Sequence, residues 1–93
     1  MRYLIAYDIA EDHVRTVVAE AIDDYGIRVQ KSVFECEVDG EQLSRLRVKL
    51  AAILAPPVIG NVRVYGLCER CAANVSEIGA RPGEVGSDKW LIL

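Results

Sequence analysis

The spacing of apolar and polar residues changes period several times along this chain, and each change marks an element. Residues 3–7 (Tyr-Leu-Ile-Ala-Tyr) form an apolar run that stops at the carboxylate Asp8. A short run of this composition closed by a polar residue predicts a strand. From Val14 the period becomes helical: Val14, Val17, Val18, Ala21, Ile22 and Tyr25 recur at i, i+3, i+4, i+7, i+8 and i+11. That pattern is one face of a helix over residues 11–25, turned toward a core. The carboxylates between Asp8 and Asp12 suit its start, and Gly26 is expected as a left-handed C-terminal cap.

Residues 28–38 do not alternate in one register. Val29 and Val33 fall on one side, whereas Phe34, Cys36 and Val38 fall on the other, so a bend, bulge or tight turn is expected near Ser32. It would divide the run into two short strands. A second helix over residues 40–55 follows from Leu43, Leu46, Leu50, Ile53 and Leu54, with Asp39 and Gln42 spaced as a capping box and Pro56-Pro57 as a stop. Residues 61–67 read as a further strand, with Val62 and Val64 on one face and Arg63, Tyr65 and Leu67 on the other.

The order β-α-β-β-α-β predicts an α+β, ferredoxin-like sandwich with two helices over one face of an antiparallel sheet. Residues 1–78 would form this domain. The first strand is apolar on both faces, with Tyr3, Ile5 and Tyr7 on one and Leu4 and Ala6 on the other. Two helices cover only one face, and the simplest cover for the second is an identical subunit about a two-fold axis. Tyr3, Ile5 and Tyr7 are assigned to that homodimer contact. Residues 79–93 read as a glycine-containing linker followed by an extra C-terminal strand. Its apolar Trp90, Leu91 and Ile92 are expected to dock on the partner's sheet edge.

Ninety-three residues, 52% of them apolar, make one small domain that buries roughly 60–65% of its unfolded surface, so association would add to a marginal core. The formal net charge of -3 excludes coating of nucleic acid by bulk positive charge, leaving local patches for any such contact. Three cysteines fit a reduced compartment better than a disulfide framework. No apolar stretch approaches the roughly 20 residues that cross a bilayer, and no cleavage-site pattern follows the first apolar run, so a cytoplasmic location is expected.

Candidate chemistry is sparse. Asp8 is either a turn or capping residue or a ligand presented at a strand end. Arg15, Arg28, Gln30, Lys31 and Ser32 are placed either to touch phosphate and sugar or to form ordinary surface ion pairs. Arg45 and Lys49 lie one helical turn apart, a basic stripe moderated by Glu41. His13 is a general-base candidate or a solvated surface residue. Cys68-x-x-Cys71 has zinc or redox spacing, but a closed zinc site needs four ligands and only Cys36 and His13 remain. Buried or half-buried structural thiols are therefore expected.

Three stretches carry a resemblance: Tyr3-Leu-Ile-Ala-Tyr-Asp8-Ile9; Tyr25-Gly-Ile-Arg-Val-Gln-Lys-Ser-Val-Phe-Glu-Cys36; and Val62-Arg-Val-Tyr-Gly-Leu-Cys68-x-x-Cys71. Together they resemble the CRISPR-associated endoribonuclease family, the second core Cas protein of the spacer-adaptation module, from Met1 to about Ile78. The resemblance implies a ferredoxin-like homodimer that works with the CRISPR integrase in acquiring new spacers. It also implies metal-dependent cleavage of RNA or DNA, with Asp8 as catalytic and metal-binding residue. Mg²⁺, or another divalent cation, takes oxygen ligands and is commonly held by one or two carboxylates plus substrate phosphate. Asp8 from both subunits would provide that pair. A different reading of the same resemblance is a non-catalytic DNA-binding scaffold that bridges integrase dimers. In one respect the chain departs from the family: members often carry an acid just before the strand matching residues 61–67, and no carboxylate stands between Pro56 and Leu67.

Overall fold

The computed structural model describes residues 1–79. Trp90, Leu91 and Ile92, expected to extend a partner's sheet, lie outside the described residues. The elements are β1 (Arg2–Ile9), α1 (Asp12–Asp23), β2 (Gly26–Gln30), β3 (Val33–Glu37), α2 (Gly40–Ile53), β4 (Gly60–Leu67) and a short α3 (Glu69–Ala73). The four strands form one antiparallel sheet in the order β2-β3-β1-β4. With both long helices contributing to a single core, this is the ferredoxin-like α+β arrangement that the order of patterns predicts.

Strand periodicity decides which side of β1 meets the helices. Ile5, Tyr7 and Ile9 are 0%, 6% and 4% exposed and pack with Val14, Val18 and Ile22 of α1 and Leu43, Leu46 and Leu50 of α2. Leu4 and Ala6 are half-buried on the other side, and Asp8, on the same side, is exposed. The assignment of Ile5 and Tyr7 to a dimer contact is thus corrected, because each is enclosed by the subunit's own helices. Tyr3, on their side, is half-buried against the same core. The face without helices carries Leu4 and Ala6 instead.

The irregular run resolves into β2 and β3, joined by a turn at Lys31 and Ser32. The pairing slips between Arg28 and Gln30, so Val29 is an extra residue in β2. On β3, Phe34 and Cys36 pair with Ile5 and Tyr3 of β1 and share their inward side, where both are fully buried. Gly26 is not a helix cap: α1 closes at Asp24 in the right-handed region, and Gly26 opens β2. A Cβ there would stand 2.3 Å from the Glu35 carbonyl oxygen and 2.5 Å from Cys36 Sγ. Its smallness lets β2 close on β3.

The capping box of α2 forms as its spacing predicts. Gln42 N–H donates to Asp39 Oδ1 at 2.8 Å, and Asp39 N–H donates to Gln42 Oε1 at 3.0 Å. By contrast, Glu11 at the N-cap of α1 supplies no side-chain cap. Arg15 holds that end instead. Its guanidinium donates to the carbonyls of Ile9 (2.9 Å) and Ala10 (3.2 Å) and pairs with Asp12.

Candidate functional site

The C-terminal end of β1 places Asp8. At this point β1 has run past the end of its pairing with β3, while β4 still accompanies it, with Asp8 opposite Asn61 and Ile9 opposite Gly60. The β2–β3 turn takes over on the other side: Tyr7 N–H donates to the Ser32 carbonyl at 3.1 Å, and the Tyr7 hydroxyl donates to the Lys31 carbonyl at 3.3 Å. Asp8 therefore stands on a backbone braced from both sides. Its side chain is exposed and makes no hydrogen bond or ion pair among the described residues. The capping reading falls away, since Glu11 occupies the N-cap of α1.

Asp8 borders an open groove of about 750 Å³ between α1 and the β2–β3 turn. Arg15, Arg28, Lys31 and Ser32 line it as well, so five of the residues singled out in the sequence meet in one place. Gln30, Arg45 and Lys49 do not line it. Gln30 sits at the bulged end of β2 opposite Val33, and Arg45 pairs with Glu41 on α2 at 3.6 Å. Lys49 and His13 are exposed on their helices.

The cations in the groove differ in what they are free to do. Arg15 is committed to the β1–α1 connection, and Arg28 lies over the Phe34 ring, 5.1 Å from its centroid. The Lys31 ammonium has no partner among the described residues, so it is the more available charge for a phosphate. Glu20 and Asp23 also line the groove. With Asp8 they set three carboxylates against three cations, a balance that leaves little net attraction for a polyanion until a carboxylate is neutralised.

The donor chemistry at Asp8 fits a hard cation in kind: an unengaged carboxylate with the Asn61 carboxamide on the neighbouring strand. Among the described residues of one subunit, no three His, Cys, Asp or Glu side chains group as a metal site. β4 offers no second carboxylate beside Asp8, and Gly60 explains why. Gly60 has φ 152°, and a Cβ there would meet Ile9 Cγ1 at 2.9 Å and the Asp8 carbonyl oxygen at 3.0 Å. The place where the related pattern puts an acid is here sterically closed to a side chain.

Asn61 is the neighbour that sequence reasoning missed. It lies 53 positions from Asp8 in the chain, and only the β1–β4 register brings the two together. The thiol expectation needs correction too: Cys36 is buried, but Cys68 and Cys71 are both exposed. No helix among the described residues is long and apolar enough to cross a membrane.

Comparison with known proteins bears on the family and the fold. A protein-family profile described as CRISPR associated protein Cas2 matches residues 1–75. The chain is 37% identical over 93 residues to the CRISPR-associated endoribonuclease Cas2 1 of Chloroflexus aurantiacus, covering 99% of this chain and 100% of that protein. Its fold superposes on the crystal structure of Streptococcus pyogenes Cas2 at pH 6.5 with a TM-score of 0.73 and 30% identity, covering 85% of this chain and 100% of the other. It also superposes on a chain of a partial Cas6-RT-Cas1–Cas2 complex, with a TM-score of 0.72 and 29% identity, covering 83% of each.

Proposed function

The chain belongs to the CRISPR-associated protein Cas2 family, and we propose that it acts in CRISPR adaptation as a homodimer that hydrolyses RNA or DNA at a site formed by Asp8 of both subunits. The observation that carries this reading is the state of Asp8: an exposed strand carboxylate, braced by two backbone neighbours and relieved of any capping duty. Relatives named endoribonuclease support the phosphodiester chemistry.

The dimer is proposed to form through the helix-free face. Leu4 and Ala6 of β1 and Val33 of β3 are half-buried there, and Tyr65 and Ile27 are 44% and 67% exposed. A two-fold axis over the centre of this face would cover them and bring the two Asp8 carboxylates toward a common place. Trp90, Leu91 and Ile92 would extend the contact by adding a strand to the partner's sheet.

Within the site, Asp8 and the Asn61 amide oxygen would hold Mg²⁺ or another divalent cation. When bound, such an ion supplies a Lewis acid that neutralises phosphate charge and makes a water more acidic. Lys31 and Arg28 meet the phosphate, Ser32 offers a hydroxyl to its oxygen or the sugar, and Arg15 keeps the end of β1 in position. Arg45 and Lys49 form a separate basic stripe for a longer nucleic acid. Asp8→Asn is expected to abolish divalent-dependent cleavage while sedimenting as the same dimer. Unchanged cleavage by that variant overturns the assignment.

The likeness to a chain of a Cas1–Cas2 complex favours a second reading. Here the dimer bridges integrase dimers without doing chemistry, and spacer integration in the presence of the integrase survives Asp8→Asn. Paired cleavage and integration assays on that one variant separate the two roles.

A further inference from the structure

The exposed pair Cys68 and Cys71 plays no part in the chemistry proposed for Asp8, and the fold sets the two residues at the N-cap and in the first turn of one short helix. Cys68 ends the chain's exit from β4 and Cys71 follows one turn later, in the first turn of α3. The Cys71 N–H donates to Cys68 Sγ at 3.4 Å. Both thiols are open to solvent, whereas Cys36 is fully buried. The Cys68 thiol is held below its ordinary value, first by the Cys71 backbone N–H and then by the Cys71 side chain. Cys71 is pushed up by the same contact. Cys68 is therefore the sulfur of the pair that ionises first, and Cys71 the one that keeps its proton longer.

We infer that Cys68 and Cys71 form a reversible thiol–disulfide pair, with Cys68 as the attacking sulfur and a small-molecule disulfide of the glutathione class as the oxidant. The Cys68 thiolate attacks one sulfur of that disulfide and expels one small thiolate, leaving a mixed disulfide on Cys68. Cys71 then loses its proton, attacks Cys68 Sγ and expels the second small thiolate. Two protein thiols lose two electrons in total, the small disulfide gains them, and the two protons end on the two released thiols. Low-molecular-weight thiols in excess reverse both steps. The closed bond would staple the N-cap of α3 to its first turn and fix the direction in which the chain leaves β4.

The full-length protein is treated with oxidised glutathione, quenched in acid and analysed by intact mass after alkylation of free thiols. Wild type is expected to lose two hydrogens, retain no glutathione and keep one alkylatable thiol, Cys36, under denaturing conditions. Trypsin cuts after Arg70, between the two cysteines, so the oxidised protein should release peptides still joined through Cys68 and Cys71 until reduced. Cys71→Ser should trap one glutathione on Cys68, and Cys68→Ser should be modified several-fold more slowly at Cys71. Stable glutathione adducts on wild type, a disulfide between two copies of the chain, or equal rates for the two serine variants would each overturn the inference. Neither replaced side chain is buried, so the variants keep their fold, and Asp8-dependent cleavage can be followed independently in the reduced protein.

Discussion

Phe34, Gly26 and Cys36 show how single residues hold this sheet, each by a different physical route. Phe34 is fully buried and takes Arg28 on its face. Phe34→Ala should therefore destabilise the fold by about 3–5 kcal/mol, read as a lower urea midpoint at unchanged slope. Gly26→Ala forces a methyl onto the Glu35 carbonyl and the Cys36 sulfur, and circular dichroism melting should show a loss of about 1–3 kcal/mol. Burial pushes the Cys36 thiol up from its ordinary value of 9.0. The unfolded chain ionises first as pH rises, so the contribution of Cys36 is full below that value and drains away above it. Urea midpoints taken from about pH 7 to about pH 10 should fall less for Cys36→Ala than for wild type along the alkaline limb.

The elements differ in how locally they are specified. The capping box of α2 joins residues three apart, and Asp39→Ala should cost about 1 kcal/mol, checked by denaturant titration. α1 has no such device and relies on Arg15 reaching back to Ile9 and Ala10. Its apolar face was legible in the sequence because a helix buries positions at a fixed local period, and the same holds for Leu43, Leu46 and Leu50 of α2. The role of Gly26 was not legible there. A helix followed by glycine fits a left-handed cap, but the close approach of β3 depends on Glu35 and Cys36, nine and ten positions further along. The change of register in residues 28–38 signalled an irregularity, whereas its form, a bulge at Val29 plus a turn at Lys31 and Ser32, was settled by strand pairing.

At the scale of the molecule, the two faces of the sheet have different tasks. The helix-covered face supplies the core, and the other leaves Leu4, Ala6, Val33, Tyr65 and Ile27 for a second copy in the proposed dimer. Leu4→Arg should convert the dimer to a folded monomer by sedimentation and abolish cleavage with it, while Arg47→Ala on the exposed side of α2 should change neither. Nucleic acid would meet a chain of net charge -3 only through local cations. Its affinity should fall log-linearly with salt at a slope of about -0.7 to -0.9 per phosphate contacted, and Lys31→Ala should shallow that slope.

Local periodicity was enough to establish both long helices, the strands before and after them and hence the α+β class, while the division of residues 28–38 into two strands rested on their pairing. Nearest-neighbour spacing along the chain controls those features. It also brought forward Asp8 and the residues at 28–32, because an apolar strand ending in a carboxylate is visible in one dimension. Which side of β1 faces the helices, the meeting of Asp8 with Asn61, the closure of the Gly60 position to a side chain and the exposure of both Cys68 and Cys71 were decided only by the tertiary structure. These depend on the register between strands distant in sequence and on which surfaces the helices reach, and a strand apolar on both faces leaves that choice to packing.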